Sequence, residues 1–185
     1  MKAFLLGDKV LVENGLELYD KSGFGSPDGE NLFLSLEEAL YLTEQGKIEV
    51  IHRRDSFLER IFPSSEKPLD FNSLLKKAEK FFFDISVRYR VYKDLRKKGL
   101  VVRSGLKYGT HFRLYDRGVK PRRGARAPWE HAKYLVHGLS EGSEFSLPEL
   151  SRFVRLSHSV KKRLWIGVVD SEGDVTYYQV TRVTP

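Results

Sequence analysis

At 185 residues, 41% apolar and 31% charged, the chain has the size and balance of one ordinary soluble domain or two small ones, long enough to bury a core without covalent staples. It contains no cysteine, which excludes a disulfide framework, an iron–sulfur cluster, thiolate zinc and a cysteine nucleophile. Its charge divides unevenly: residues 1–82 carry 11 Lys and Arg against 15 Asp and Glu, net −4, while residues 83–185 carry 21 against 10, net +11.

In chain order, short strands are expected at Phe4–Leu6 and Lys9–Val12, separated by the turn pair Gly7-Asp8. Gly23 to Gly29 is rich in Gly, Ser, Pro and Asp and reads as a loop. Ser35 opens a helix, with Glu38 placed to complete a capping box. Leu36, Ala39, Leu40 and Tyr41 form its apolar face, and Gly46 ends it. Ile48–Ile51 reads as a strand and Pro63–Pro68 as a loop. Asp70 or Asn72 caps a helix carrying Leu74, Leu75, Ala78, Phe81 and Phe82. A further helix bears Tyr89, Tyr92 and Leu95 and stops at Gly99.

The second half alternates more regularly. Strands are expected at Leu100–Arg103 and Phe112–Tyr115, around a turn at Gly105–Gly109. A loop over residues 116–128 holds Lys120, Arg122, Arg123 and Arg126. Tyr134–Leu139 is the next strand. Ser146 caps a helix with Glu149 at its third position and Leu147, Leu150, Phe153, Val154 and Leu156 along its apolar face. Leu164–Val169 is a buried-type strand, Asp170–Asp174 an acidic turn and Val175–Val183 the last strand. The expected fold class is α/β of the α+β kind, in two small domains: residues 1–82, a mixed sheet with helices, and residues 83–185, a central mixed sheet flanked by helices.

No apolar run approaches the roughly 20 residues of a membrane span. The opening MKAFLLGDKVLVENG is too interrupted for a secretory signal, so a cytoplasmic protein is expected. The +11 half points to a polyanionic partner. None of the five histidines, His52, His111, His131, His137 and His158, has the HExxH spacing of a metal site. The basic half has no D…ExK arrangement for Mg²⁺, and no phosphate-binding glycine loop is present. Neither a metal nor another cofactor is expected. RNA carries its own nucleophile, the 2′-OH. Cleaving it takes a base for that hydroxyl, an acid for the departing 5′-oxygen and a cation for the charged phosphorane. Tyr, His and Lys supply these without a cofactor, but composition alone does not choose among the candidates.

Three runs carry a resemblance. VYKDLRKKGLVVRSGLKYGTHFRLY (91–115), EHAKYLV (130–136) and FVRLSHSVKKRLWIGVVDSEGDVTYY (153–178) together resemble the archaeal tRNA-splicing endonucleases. NLFLSLEEALYLTEQGKIEV (31–50) agrees more loosely. The resemblance implies metal-free cleavage of precursor tRNA at both exon–intron junctions, within a bulge–helix–bulge element, leaving a 2′,3′-cyclic phosphate and a 5′-hydroxyl. By motif it assigns a catalytic triad of Tyr115, His131 and Lys162. In chemical terms, His131 suits a general acid and Lys162 a fixed cation beside the phosphate. Tyr115 as base requires its ionised form, which a nearby lysine favours, so Lys162 is expected to serve both tasks.

The same resemblance implies that two arginines grip a bulged base. Arg155, seven residues before Lys162, matches the first, and Arg182 is the candidate for the second. It also implies four nuclease units, here a homotetramer built as a dimer of dimers, with an acidic loop entering a basic groove of another subunit; Asp170, Glu172 and Asp174 would be that loop's charges. The basic stretch VKPRRGARAPW (119–129) departs from the shorter segment expected there, and contact with RNA phosphates is its expected role. Two other readings stand beside the enzyme: a non-catalytic subunit of a heterotetramer, and an RNA-binding module without activity.

Overall fold

The structure, a computed structural model, describes residues 1–52, 67–119, 127 and 130–183. The expected loop at Pro63–Pro68 lies outside the described residues except for its last two. So does most of the basic stretch 119–129. The chain divides into two compact units, Met1–Ser86 and Val87–Pro185. Both are mixed α/β, each built on a five-stranded mixed sheet.

The first unit opens with the hairpin β1 (Lys2–Leu6) and β2 (Lys9–Val12), joined through Gly7 at φ 59°. A short helix α1 (Leu16–Ser22) follows. Next come β3 (Ser26–Asp28), β4 (Asn31–Ser35), α2 (Leu36–Glu44), β5 (Glu49–Ile51) and α3 (Phe71–Ala78). The sheet order is β3-β4-β2-β1-β5, antiparallel except for β1 beside β5. Alternate residues Ala3, Leu5, Val10, Val12, Leu32 and Leu34 are buried, as the period-two pattern requires.

The capping box at α2 forms: the Ser35 hydroxyl accepts from the Glu38 N–H at 3.3 Å, and Glu38 Oε2 accepts from the Ser35 N–H at 2.9 Å. The other Glu38 oxygen accepts from the Gly25 N–H at 2.9 Å, tying the preceding loop to the helix. Asp70, the first of the two candidates, caps α3 through Ser73 N–H at 2.7 Å.

Several expectations are corrected. Leu16–Ser22, to which the sequence reading assigns no element, is helical; its N-cap is Gly15, which offers no side-chain acceptor, so the usual start signal is missing. The Gly23–Gly29 segment contains β3, an edge strand where Pro27 is tolerated. Helix α3 ends at Ala78, so Phe81 lies past it and is 48% exposed.

The second unit begins within α4 (Ile85–Lys97) and continues through β6 (Val101–Ser104), a 3₁₀ turn (Leu106–Tyr108), β7 (Phe112–Tyr115), β8 (Tyr134–Ser140), α5 (Leu147–Ser159), β9 (Arg163–Val169) and β10 (Val175–Val180). Its sheet order is β10-β9-β8-β7-β6, with only β8 and β9 parallel, joined by the α5 crossover. Helix α4 lies against one face. Gly138 and Gly167 make room for it: a Cβ on either would stand 3.1 or 3.4 Å from a Val91 methyl. Phe112 packs on Tyr92 with ring centroids 5.7 Å apart. The opposite face buries Leu135, Leu164 and Ile166 beneath Phe153 and Val154 of α5.

Leu147 is not on the apolar face of α5. It occupies the first helical position, next to Pro148, and is 80% exposed. The last strand stops at Val180, three residues early. Among the described residues no helix is long and apolar enough to cross a membrane.

Candidate active site

Lys162 is placed by the way α5 ends. The Lys162 N–H donates to the Ser157 carbonyl at 2.8 Å and the Lys161 N–H to His158 at 3.0 Å, the two reversed bonds of a Schellman motif. Lys161 takes the left-handed position at φ 53°, where glycine is usual. The chain then turns directly into β9.

The ladder fixes what stands beside it. The Arg163 N–H donates to the Lys133 carbonyl at 3.0 Å, and the Lys133 N–H to the Leu114 carbonyl at 2.9 Å. One row of hydrogen bonds therefore crosses β9, the approach to β8, and β7. Lys162, His131 and Tyr115 flank that row at one end of the sheet. The ion pair of Lys133 with Asp116 closes the same end.

The Lys162 ammonium donates to the Ala132 carbonyl at 2.7 Å, one residue from His131. Partial burial lowers its pKa, and the positive charges of Lys107 and Arg113 act in the same direction, while Tyr108 opposes them. His131 is exposed. It follows Glu130, whose carboxylate accepts from the Ala127 N–H at 2.8 Å. Tyr115 ends β7 and is only 1% exposed. By strand alternation it shares a face with Arg113, whose guanidinium carbon lies 5.8 Å from the Tyr115 ring centre. Arg113 is opposite Leu135 in the ladder, so both side chains belong to the α5 face.

A second tyrosine enters the site that sequence reasoning misses. Tyr108 packs against the α5-side core, and the Lys162 ammonium lies 5.9 Å from its ring centre. Lys107 sits 4.8 Å from the same centre. Burial works to raise this phenol's pKa, but the Lys107 hydrogen bond and the charges of Lys107, Lys162 and Arg113 together lower it. Lys162 thus acts on the phenol of Tyr108. The signal in the sequence was a Lys-Tyr pair inside a turn bounded by Gly105 and Gly109, which read as turn chemistry alone.

The remaining candidates are more dispersed. Arg155 stands on the exposed side of α5, and Arg182 lies in the exposed segment beyond β10. Glu172 and Asp174 are exposed at the β9–β10 turn. Asp170 is committed within that turn: one carboxylate oxygen accepts from the N–H groups of Glu172, Gly173 and Asp174 at 3.0, 2.8 and 2.8 Å. Among the described residues no group of three or more His, Asp or Glu could hold a metal ion.

Tyr115, His131 and Lys162 lie near one cation-rich end of the second sheet, residue types that can cleave RNA without a cofactor, and comparison with known proteins gives the class. The family profile described as tRNA intron endonuclease, catalytic C-terminal domain, matches residues 85–177, and that of the N-terminal domain matches residues 1–60. The chain is similar to the tRNA-splicing endonuclease of Pyrococcus horikoshii, 36% identical over 96% of this chain and 93% of the relative. It is 40% identical to that of Thermococcus kodakarensis over 96% and 95%. It is 36% identical to that of Methanococcoides burtonii, over 98% of this chain but only 46% of the longer relative. The chain is an endoribonuclease and belongs to the tRNA intron endonuclease family.

Proposed function

We propose that this endonuclease cleaves precursor tRNA at both exon–intron junctions of a bulge–helix–bulge element. The observation that carries the reading is the Lys162 ammonium anchored on the Ala132 carbonyl beside His131, at the sheet end where Tyr115 closes β7. In the proposed step Tyr115, acting as base, takes the proton of the 2′-OH. That oxygen attacks phosphorus, and the bond to the 5′-oxygen breaks. His131, as imidazolium, gives the leaving oxygen its proton. Lys162 stabilises the added negative charge of the phosphorane. The products are a 2′,3′-cyclic phosphate and a 5′-hydroxyl. Tyr115 is 1% exposed in the free chain, so the base role requires the groups over its ring to shift when RNA enters.

In the same proposal the chain works in the cytoplasm without a cofactor. Residues 83–185 form the catalytic domain and residues 1–82 the N-terminal one. Arg155 and Arg182 hold a bulged base between guanidinium planes. Four chains assemble as a dimer of dimers. A relative of about twice the length supports paired nuclease units. With Asp170 occupied in shaping its own turn, Glu172 and Asp174 are the charges the acidic turn has free for another subunit.

The test is cleavage of a bulge–helix–bulge RNA by the purified chain alone in excess EDTA, with the ends analysed for the cyclic phosphate and the mass measured by light scattering. Cleavage by a species of four chains is the expected result. Cleavage only after a partner subunit is added overturns the homotetramer. RNA binding without cleavage, with or without partners, overturns the enzyme mechanism and leaves a binding module. Near-normal single-turnover cleavage by Tyr115→Phe overturns the base role.

A further inference from the structure

A lysine beside a phosphate is effective only if its ammonium is held there. The side chain is a flexible four-carbon stem and its head a strongly hydrated point charge. Here one donor of Lys162 is satisfied by the Ala132 carbonyl at 2.7 Å. The other restraint is the Tyr108 ring, 5.9 Å from the ammonium to its centre. That ring is itself fixed. It stands in the 3₁₀ turn between Gly105 and Gly109, where the Tyr108 N–H donates to the Gly105 carbonyl at 2.7 Å, and it rests on the core that α5 covers. Lys107, one residue earlier, lies over the same ring at 4.8 Å.

We infer that Tyr108 is a positioning residue for the reaction: its ring and the Ala132 carbonyl together seat the Lys162 ammonium, and the same ring gathers Lys107 as a second cation facing the scissile phosphate. The inference rests on the proposed role of Lys162 in RNA cleavage. The aromatic face is the working part. An ammonium above a ring is attracted by its quadrupole, and the attraction grows as water is excluded. The phenolic oxygen has a separate effect. Its charge supports the protonated form of Lys162 against the burial that disfavours it.

The test is single-turnover cleavage of a saturating bulge–helix–bulge RNA by Tyr108→Phe, Tyr108→Leu and Lys162→Ala, with RNA affinity measured separately. Tyr108→Leu is expected to lose roughly tenfold in cleavage rate, within the span of a cation–π contact, with RNA affinity changed less than about twofold. Tyr108→Phe keeps the ring and is expected to recover most of that rate at neutral pH. In both variants the alkaline limb of the pH–rate profile moves to lower pH, because the group that kept Lys162 protonated is gone. Should Tyr108→Leu fail to fold, Tyr108→Met, which fills the same space, gives the same test. A leucine or methionine variant that cleaves within twofold of wild type, with an unmoved alkaline limb, overturns the inference. If Lys162→Ala also cleaves normally, the role of Lys162 falls with it. If Lys162→Ala is inactive, only the inference about Tyr108 falls.

Discussion

His111 makes the stability of the second unit depend on pH in a way that can be worked out from its surroundings. Its ring stacks on His137 of β8 with centroids 4.0 Å apart, and its Nδ1 accepts from the Gly138 N–H at 3.1 Å. Burial, the His137 ring and the Arg88 guanidinium of α4 all disfavour the imidazolium and hold the pKa down to about 2. The unfolded chain has no such restraint and titrates near 6.5. Because the folded value is the lower one, stability is complete above pH 6.5 and is lost as pH falls below it, levelling only near pH 2. Between pH 7 and pH 5 the loss is about 2 kcal/mol, since each unit of difference is worth about 1.4 kcal/mol. His111→Asn keeps an acceptor for Gly138 and cannot titrate. Guanidinium unfolding followed by tryptophan fluorescence reports this unit, because both tryptophans, Trp129 and Trp165, lie in the second half. The variant is expected to start less stable at pH 7 and to lose about 2 kcal/mol less than wild type on going to pH 5. Unfolding midpoints that fall in parallel for the two proteins would refute the reasoning.

Other parts of the site allow equally direct tests. Gly105→Ala places a Cβ 2.5 Å from Thr110 Oγ1 and 2.8 Å from the Phe112 backbone. It should cost about 1–3 kcal/mol in thermal or denaturant unfolding and displace the turn that carries Tyr108. At Lys161, glycine should stabilise the helix end by up to about 1 kcal/mol, whereas valine, which tolerates a φ of 53° poorly, should destabilise it in the same assay. Asp170→Ala removes the acceptor of three backbone N–H groups. Hydrogen exchange at Glu172, Gly173 and Asp174 should accelerate, and Asp170→Asn should restore part of the protection. Neutralising Arg122, Arg123 and Arg126 together should reduce the salt dependence of RNA binding, measured as log affinity against log salt, by about one unit of slope for each phosphate these arginines neutralise.

What was legible in the sequence follows from how locally each feature is determined. The α2 capping box is decided by Ser35 and Glu38, three residues apart, and it forms as read. Helix α1 was invisible because Gly15 gives no capping signal and the helix buries none of its own residues. The triad positions came from a resemblance, since no local rule brings residues 115, 131 and 162 to one place. The sheet end near which they lie is built by the parallel β8–β9 pairing and the row of hydrogen bonds through Leu114, Lys133 and Arg163. Tyr108 shows the same limit more sharply. Nothing in LKYG announces a partner 54 residues away. Its neighbour is set by where the Schellman turn of α5 releases the chain, with Lys161 in a conformation that lysine rarely adopts. If that turn were built for stability alone, glycine would serve at 161 and any apolar residue at 108. Lys107 and Lys162 stand over the Tyr108 ring and the Arg113 charge acts on its phenol, a local concentration of positive charge suited to a negative group. The phosphate of the proposed reaction is such a group, and the cost of holding like charges together is then recovered in the transition state, where the negative charge is largest.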